Sequence, residues 1–392
     1  MTATTAATRD PFALSADERA VRDTVRDFAQ REVAPGAAER DEQERYDYAL
    51  FERAGELGIT GLPYPEELGG AGMGTFAWIL ACEEIAAADM GLAVSLSVHI
   101  LSQLCIFSRG SEEQRERFLP PMTAGRQLGA FALTEPEAGS DASAISLRAE
   151  RDGDDYLLSG TKIWISNAVE AQRFVVFATI DRSRGREGIT AFVVERDTAG
   201  FRLGAREHKM GIRGTSSTEL VFEAARVAAA NRLGDEGDGL RVALGALGAG
   251  RISIAAACVG LARTALEHAA RYANERRQFG RTIGQQEMVQ AMLADMATSV
   301  DAARLLTWRA ARMRDAGQPI NAASSMAKMF ASDTAMRVTT DAVQIYGGAG
   351  YSRENPVERF MRDAKGAQIY EGTNQIHRLI VAQHLLDSLR DT

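Results

Sequence analysis

The sequence contains little cysteine, and the cysteine it has is scattered. Only three occur among 392 residues, Cys82, Cys105 and Cys258, and no two of them form a CxxC pair. This pattern argues against a disulfide framework and against a structural zinc site, because both need paired or clustered ligands. It is typical of a chain kept in a reducing compartment, so we expect a cytoplasmic protein.

The sequence also lacks a long basic segment. Acidic residues outnumber basic ones by 53 to 45, which gives a formal net charge of -8 at pH 7. Proteins that bind DNA or RNA carry clustered lysine and arginine side chains that neutralise phosphates. We therefore expect no nucleic acid among the partners.

We do not expect the longest charge-free stretch of the sequence to span a membrane. The longest stretch without a charged residue, 90–108, is interrupted by Gly91, Ser95 and His99, whereas a spanning helix needs about 20 predominantly apolar residues. We predict a buried helix there and no contact with a membrane. The first ten residues are small and polar, without the cationic start and apolar stretch of a secretory signal, and are predicted to form a loose tail.

Motifs for metal binding and for nucleophilic hydrolysis are missing as well. The five histidines include no HExxH pair, and no GxSxG sequence occurs. The glycines of residues 70–74 lack the preceding strand and the βαβ unit that surround a nucleotide-binding loop. We therefore expect no metal site, and neither a serine nor a cysteine nucleophile.

The periodicity of apolar residues changes twice along the chain and divides it into three parts. Hydrophobic residues at 45% and charged residues at 25% are typical of a globular protein. The spacing is helical up to about residue 125, typical of short strands up to about 236, and helical again to the end. We predict an α+β, mainly α fold with an N-terminal α-helical domain (1–125), a middle β-barrel or β-sandwich domain (126–236) and a C-terminal four-helix bundle (237–392).

Local signals support each part. A capping box at Ser15 and Glu18 predicts the start of the first helix, and β-branched and aromatic runs predict strands at 174–177, 189–194 and 219–222. In the last part, an apolar residue at every fourth position predicts a helix over 288–300. We predict a second helix from Leu305 onward, a third over 322–346 and a last one from Thr373, and we interpret Gly245, Gly248 and Gly250 as a site of close helix packing or a bend.

Three further runs combine small polar residues, glycine and a single chemically useful side chain. They are FALTEPEAGSD at 131–141, GTKIWISNA at 160–168 and RDAKGAQIYEGTNQIHR at 362–378. Taken singly, the first is an ordinary polar turn, the second a core tryptophan followed by a turn, and the third a solvated glutamate at a helix boundary. None of the three alone identifies a reaction.

Together, in this order, on a chain of helices, strands and helices, the three runs resemble the acyl-CoA dehydrogenase family. The resemblance covers about residues 14–390 and includes PEELGG at 65–70, KMGIRG at 209–214 and ERRQFG at 275–280. The short-chain, butyryl-like branch is the nearest, through ARLLTWRAA and the SMAK sequence at 325–328. The resemblance implies FAD-dependent α,β-dehydrogenation of an acyl thioester, from acyl-CoA to trans-2-enoyl-CoA, in fatty acid metabolism.

The same resemblance assigns a role to Glu371 as the base that removes the α proton. An α proton beside a thioester is only weakly acidic, so the base must be desolvated and the developing enolate stabilised. In the family the stabilising donors are the backbone amide of the catalytic glutamate and a ribityl hydroxyl of FAD. The β hydrogen leaves as hydride to the flavin, and an electron-transfer flavoprotein then takes the electrons.

The remaining site residues follow from motif positions in the family. The residues implied to bind FAD are Phe131, Leu133, Thr134, Ser140, Trp164, Ser166, Arg276, Phe279, Gln344, Gly348, Thr373 and Gln375. The residues implied to bind substrate are Ser140, Arg251, Tyr370 and Gly372. Because Arg276, Phe279, Gln344 and Gly348 match positions that reach the FAD of a neighbouring subunit, the resemblance implies a homotetramer.

The chain departs from the family at two positions. Some subfamilies place the base where this sequence has Gly250, which leaves Glu371 without a competitor, and an acidic residue that helps hold the pantetheine is replaced by Gly248. The second departure makes an acyl-carrier-protein thioester an alternative substrate. An acyl-CoA oxidase is a rival interpretation within the fold, and a non-catalytic flavin- or thioester-binding protein is a rival from another class.

Two questions about the site stay open at this point. Either Gln286 or Glu287 could stand opposite the FAD of a neighbour. The acyl chain length depends on packing between residues 96–104 and the bundle, where His99 either lines the pocket or belongs to the core.

Overall fold

The computed structural model describes residues 12–390, so the loose tail predicted for residues 1–10 lies outside this range. The helices are α1 (Ala16–Phe28), α2 (Ala37–Glu42), α3 (Tyr48–Glu56), α4 (Gly74–Ala88), α5 (Met90–Arg109), α6 (Glu112–Thr123), α7 (Gly239–Glu275), α8 (Glu287–Asp315), α9 (Asn321–Tyr346), α10 (Val357–Ala367) and α11 (Asn374–Ser388). The strands are β1 (Gly129–Ala132), β2 (Arg148–Asp152), β3 (Asp155–Ser166), β4 (Arg173–Thr179), β5 (Ile189–Glu195), β6 (Phe201–Arg206), β7 (Ser217–Ala228), β8 (Arg232–Leu233), β9 (Arg277–Gln278) and β10 (Arg281–Thr282). The order of helices, strands and helices confirms the predicted fold class.

Helix α1 begins at the predicted capping box. The Glu18 amide donates to Ser15 Oγ at 3.2 Å, and the Ser15 amide donates to the Glu18 carboxylate at 2.8 Å. These two bonds satisfy backbone donors that the first turn of a helix leaves without partners. The charge-free stretch 90–108 forms most of α5, which is a buried helix as predicted.

The middle part forms one mixed sheet that curls over onto itself. Its strand order is β6-β7-β3-β2-β4-β5-β8, and β1 pairs in parallel with β4. The rings of Phe174 on β4 and Phe201 on β6 lie 4.9 Å apart, although three strands separate them in the sheet. Tyr156 on β3 and Phe192 on β5 are also 4.9 Å apart. The curled sheet thus encloses its own apolar core, as a barrel or sandwich does.

The C-terminal helices and the N-terminal helices share one apolar core. Buried side chains of α1, α4 and α5 form a single cluster with those of α7, α8 and α9. The prediction of two helices between residues 288 and 315 was wrong, because α8 runs unbroken over Glu287–Asp315. The stripe beginning at Met288 is also only partly buried: Met288 is 77% exposed, whereas Met296 and Val300 lie in the core.

Two helices, Met90–Arg109 and Gly239–Glu275, have the length and composition of a membrane span, and most of each is buried inside the protein. Burial of this kind is what the core helix of a globular protein shows. The second of them, α7, packs closely against α4 at Gly260. A Cβ atom at this glycine would lie 2.1 Å from the Glu83 carbonyl oxygen.

Replacing Gly260 with alanine is expected to lower the free energy of unfolding by about 2–3 kcal/mol, because a Cβ at this crossing forces two helix backbones apart. The matched control is Gly245→Ala on the same helix, where a Cβ would meet nothing within 4 Å. Alanine in an exposed helical position stabilises by up to about 1 kcal/mol over glycine. Urea denaturation of both variants checks the pair, and equal effects would contradict the close-packing explanation.

Candidate active site

A buried ion pair joins the end of β1 to the middle of β3. Lys162 Nζ lies 2.7 Å from Glu135 Oε1 and donates to the Leu133 carbonyl at 2.9 Å. Burial raises the pKa of Glu135, but the Lys162 ammonium and the amides of Leu147 and Ser146 together hold that pKa below its ordinary value. The Ser146 amide and hydroxyl also donate to the carboxylate, at 2.6 and 2.8 Å. The loop after β1 is therefore fixed at both of its ends.

This ion pair places two of the predicted cofactor-binding runs side by side. The Ile163 amide donates to the Thr134 carbonyl at 3.0 Å, so Thr134 lies beside Trp164. Trp164 has a φ of +60° and is 54% exposed, at a point where the pairing of β3 with β7 is irregular. An exposed indole beside polar backbone and Ser166 is a surface on which a flat aromatic ring can stack.

The same strands are attached to α5 through one glycine. The Gly129 amide donates to His99 Nδ1 at 3.0 Å, and Asn167 Nδ2 donates to the Gly129 carbonyl at 3.0 Å and to the Ser95 carbonyl at 2.9 Å. Burial lowers the pKa of His99 to about 4, so the imidazole is neutral. Of the two interpretations of His99, the structure supports the core residue.

The predicted base lies in a strained turn between α10 and α11. Glu371 has a φ of +57° and Gly372 a φ of +91°, and a left-handed backbone is costly for a residue with a side chain. Thr373 caps α11 by accepting from the Ile376 amide at 3.4 Å. Within residues 12–390 the Glu371 amide donates no hydrogen bond, so this donor is free for a ligand.

The Glu371 carboxylate lies directly against α7. A Cβ atom at Gly250 would be 2.7 Å from Glu371 Oε2, so only a glycine leaves room for the carboxylate here. Oε2 is buried without a hydrogen-bond partner. Positions 250 and 371 thus compete for the same space, which explains physically why the chain carries glycine at one and glutamate at the other.

Two buried cations are the charged groups that influence this carboxylate. Burial raises the pKa of Glu371 to about 7, while Arg251 and Lys328 oppose the rise. Arg251 donates to Asn321 Oδ1 at 2.9 Å, and Lys328 donates to the Gly372 carbonyl at 2.6 Å. A carboxylate with a pKa near neutrality is suited to act as a general base at physiological pH.

Unsatisfied polar atoms are concentrated around this turn. Buried side-chain atoms without a hydrogen-bond partner in residues 12–390 include Arg251 Nε, Tyr370 Oη, Glu371 Oε2 and both ring nitrogens of His377. Buried polar groups in folded proteins are normally paired, and exceptions mark functional sites or bound solvent. The turn therefore has the chemical character of a site built for a ligand.

Lys328 and His377 are functional neighbours that the sequence did not reveal. Lys328 is fully buried on α9, and His377 on α11 packs its ring 3.2 Å from the position of a Gly372 Cβ. In the sequence, Lys328 stood out only as the one lysine of a helix of mostly small residues, at the end of SMAK. No local pattern distinguished His377, because its neighbours become close only when α11 folds back on the turn.

The buried carboxylate makes folding pH-dependent. Its folded pKa of about 7 lies above the ordinary value of 4.5, so the destabilisation is absent below pH 4.5, grows between 4.5 and 7 and is complete above 7. Such a shift corresponds to a penalty on the order of 3 kcal/mol. We expect Glu371→Gln to raise the free energy of unfolding by that order at pH 8 and only slightly at pH 5, as measured by urea denaturation. An equal gain at both pH values would contradict the origin assigned to it.

A cavity of about 430 Å³ extends from Gly250 between α4, α5 and α7 to the connection between α8 and α9. Ser97, Ile100, Leu101 and Leu104 of α5 line it, in agreement with the prediction that residues 96–104 and the bundle form the pocket. Trp78 forms one wall, and its Nε1 donates to Ser253 Oγ at 2.7 Å. Because Gly250 touches the Glu371 carboxylate, the cavity leads to the base.

Four of the remaining predicted residues are exposed and lie outside the elements described so far. Arg276 ends α7, Phe279 stands 95% exposed at the tip of the β9–β10 hairpin, and Gln344 and Gly348 are exposed at the end of α9. Within residues 12–390 they make no hydrogen bond to β1, β3 or the Glu371 turn.

The other four predicted residues differ in burial. The Phe131 ring lies 5.0 Å from the Phe177 ring, Leu133 is buried, and Ser140 and Gln375 are exposed.

The choice between Gln286 and Glu287 stays open. Gln286 caps α8 and accepts from Arg281 at 2.7 Å, its Nε2 is buried without a partner, and Glu287 is exposed. The described part of the chain, residues 12–390, holds no group of three or more His, Cys, Asp or Glu side chains placed to bind a metal ion. The three cysteines are free and buried.

Three family models match the chain in succession. The model for the acyl-CoA dehydrogenase N-terminal domain matches residues 15–126, that for the middle domain matches 130–225, and that for the C-terminal domain matches 237–386. Two curated relatives agree with this. The acyl-CoA dehydrogenase of Bacillus subtilis (strain 168) is 46% identical over 93% of this chain and 97% of its own length. The mitochondrial short-chain specific acyl-CoA dehydrogenase of Mus musculus is 44% identical over 94% and 90%.

Solved structures have the same fold. Butyryl-CoA dehydrogenase from Megasphaera elsdenii superposes with a TM-score of 0.95 at 43% identity, over 96% of this chain and 100% of that one. A chain from the study of the electron transferring flavoprotein of Acidaminococcus fermentans gives 0.95 at 45% identity, over 96% and 100%. PigA, solved with FAD and proline, gives 0.93 at 29% identity, over 96% and 99%.

Proposed function

Because this chain belongs to the acyl-CoA dehydrogenase family, it is an FAD-dependent oxidoreductase that acts on the CH–CH bond of acyl thioesters, and we propose that its substrate is a short-chain acyl-CoA. The observation that carries the proposal is the Glu371 carboxylate, whose Oε2 is buried without a partner and lies against Gly250 at the end of a cavity. The similarity to short-chain and butyryl-CoA dehydrogenases supports the chain length.

The chain's own residues supply the proton chemistry. The Glu371 carboxylate removes the α proton of the acyl group, and its burial strengthens it as a base by raising its pKa to about 7. The free Glu371 amide can donate to the thioester carbonyl oxygen, where negative charge develops as the proton leaves. Lys328 holds the turn in place through the Gly372 carbonyl.

The residues around Trp164 fit the flavin of FAD. The exposed indole supplies a stacking face, and Thr134 and Ser166 lie beside it with the strand ends fixed by the Lys162–Glu135 ion pair. FAD bound there would supply the acceptor for the β hydrogen. The buried Lys162–Glu135 ion pair holds in place the strand ends that carry this surface.

The proposal also covers the partners of the protein and its location in the cell. An electron-transfer flavoprotein would take the electrons, which the similarity to the A. fermentans chain supports. A homotetramer would bring the exposed group of Arg276, Phe279, Gln344 and Gly348 to a neighbour's FAD, and the 95% exposure of Phe279 supports such an interface. Buried free cysteines are compatible with a cytoplasmic location.

The experiment that tests the function uses the purified protein loaded with FAD. Under anaerobic conditions, butyryl-CoA is expected to bleach the yellow colour of the oxidised flavin, and crotonyl-CoA is the expected product. Octanoyl-CoA serves as the chain-length comparison and is expected to react more slowly. A protein that binds no FAD, or whose flavin keeps its colour with every saturated thioester, would overturn the proposal.

A second substrate class is favoured by one observation. Position 248 carries no side chain and faces only Ile320, whose Cδ1 would lie 3.6 Å from a Cβ there. The acidic contact to the pantetheine that the family provides is therefore missing, so an acyl-carrier-protein thioester is the second candidate. A comparison of butyryl-CoA with the butyryl thioester of a carrier protein in the same bleaching assay decides between them.

A further inference from the structure

The cavity next to the base is open to solvent at one end and closed at the other. Gly317 and Gln318 line its outer end and are exposed. The lining residues at its inner end are buried, and they are Trp78 on α4, Ser97 on α5 and Ser253 on α7. Within residues 12–390, no residue beyond Trp78 on α4, beyond Ser253 on α7 or before Ser97 on α5 lines the cavity. These three residues therefore form the closed end of the cavity.

The closed end is also where the three helices contact one another. Trp78 Nε1 donates to Ser253 Oγ at 2.7 Å. Cys82, one helical turn after Trp78, donates from Sγ to the Ser253 carbonyl at 3.3 Å, and the same sulfur lies 3.7 Å from Ser97 Oγ. These contacts lie directly behind the lining residues, so a ligand cannot extend further between α4, α5 and α7 unless a side chain moves.

The closed end lies close to the base. Gly250 touches the Glu371 carboxylate and precedes Ser253 by three residues on α7, which is about 4.5 Å along the helix axis. A carbon–carbon bond is about 1.5 Å long, so this distance accommodates about three bonds. With its α carbon at Glu371, a butyryl group extends two carbons toward the closed end, whereas an octanoyl group extends six. The shorter chain therefore fits, and the longer one collides with the closed end.

Trp78 supplies most of the bulk at the closed end. It is the largest of the fully buried side chains in residues 12–390, whereas the other two lining residues there are serines. Its indole N–H is paired with Ser253 Oγ, and a buried indole normally needs such a partner. Because this bond fixes the orientation of the ring, the ring occupies space that a longer acyl chain would need.

We propose that Trp78 determines the acyl chain length, because its indole closes the cavity within a few carbons of the base. The inference rests on the proposed function and deepens it, since it names the residue that makes the enzyme specific for short chains. One methylene group in an apolar pocket already changes discrimination between substrates by roughly 10- to 200-fold. Octanoyl-CoA differs from butyryl-CoA by four methylene groups, so removal of the indole should change their relative rates strongly.

The test compares octanoyl-CoA with butyryl-CoA by kcat/KM on the FAD-loaded protein. Trp78→Leu removes the ring but keeps an apolar side chain, and it is expected to raise the octanoyl-to-butyryl ratio by roughly tenfold or more. Trp78→Phe keeps one aromatic ring and is expected to raise the ratio less, by roughly threefold or more. Large-to-small changes in a core are destabilising, so Trp78→Phe decides the question if Trp78→Leu does not fold.

Trp308→Leu is the matched control for this change. Trp308, on α8, does not line the cavity, and its ring packs 5.4 Å from that of Phe76. The same substitution there is expected to leave the octanoyl-to-butyryl ratio at its natural value. A rise in Trp308→Leu equal to that in Trp78→Leu would indicate a general loosening of the helices and would overturn the inference.

A binding measurement gives a readout that needs no turnover. Dissociation constants of the unsaturated products, crotonyl-CoA and trans-2-octenoyl-CoA, are measured by calorimetry. Trp78→Leu is expected to strengthen binding of the octenoyl thioester relative to the crotonyl thioester by roughly tenfold or more. In this variant, an unchanged ratio of the dissociation constants, or of kcat/KM, overturns the inference.

The outcomes also distinguish this inference from the proposed function. If neither saturated thioester reduces the flavin of the natural protein, the proposed function fails and the inference fails with it. If the natural protein and Trp78→Leu prefer butyryl-CoA to the same degree, the proposed function stands and only the role of Trp78 fails.

Discussion

Replacing Glu371 with glutamine is expected to slow reduction of the bound flavin by a saturated acyl-CoA by at least a hundredfold. Glutamine keeps the size of the side chain but cannot accept the α proton, and general-base catalysis contributes roughly 10²–10⁴ in rate. Stopped-flow measurement of anaerobic bleaching gives the rate directly. FAD content and the urea midpoint of the variant establish that the site is still formed.

The pH profile provides a second measure of the same prediction. The reactive form of Glu371 is the carboxylate, and its pKa is raised to about 7, so the bleaching rate of the natural protein should rise as the pH increases through about 7. The residual rate of Glu371→Gln should not show this rise. Glu354→Gln, at an exposed glutamate, serves as the control and should follow the natural profile. A normal rate in Glu371→Gln would refute the assignment of the base.

Gly250→Ala is expected to lower the bleaching rate by roughly ten- to a hundredfold without lowering stability. The new Cβ would lie 2.7 Å from Glu371 Oε2 and 3.0 Å from its Cδ, so the carboxylate must move away from α7. A displacement of about 1 Å in a reacting group can cost on the order of a hundredfold. The backbone of α7 needs no adjustment, because the atoms that collide belong to the end of a side chain.

The control for this prediction is Gly245→Ala, which makes the same change on the same helix. No atom lies within 4 Å of a Cβ at this position, so the bleaching rate should equal that of the natural protein. Comparison of the two variants separates an effect on the carboxylate from a general effect of alanine in α7. A Gly250→Ala protein with an unchanged rate and an unchanged pH profile would show that Glu371 has another working position.

The sequence predicted the fold through local signals that tertiary packing did not alter. The capping box at Ser15 and the strand runs at 174–177 and 189–194 lie where α1, β4 and β5 form, because caps and β-branched residues act over a few positions. The prediction that one helix ends and another begins between residues 300 and 305 was wrong, because it did not rest on such a local signal. No local residue there stops a helix, and packing against α9 keeps α8 continuous over Glu287–Asp315.

The sequence predicted only part of the site. The resemblance to the family predicted Glu371 and Trp164 as site residues. In the structure both have a positive φ. The Glu371 amide is a free donor within residues 12–390, and the Trp164 side chain is exposed. Whether Ser140 and Gln375 bind the cofactor stays a prediction. Lys328 lies in the SMAK sequence and His377 in the 362–378 run, but neither was marked as a site residue. Lys328 meets the Glu371 turn from a helix distant in sequence, and the His377 ring meets Gly372 only when α11 forms.

By itself, the sequence determined the three-part order of helices, strands and helices, the positions of α1, β4 and β5, and the residue types available for proton transfer. Only the tertiary structure decided that Glu371 Oε2 is buried and unpaired, that Gly250 makes room for it, and that Arg251 and Lys328 are the charges opposing its raised pKa. The physical reason is that these interactions act between different kinds of neighbours. Helix and strand propensities depend on neighbours along the chain, whereas desolvation and charge interaction depend on neighbours in space.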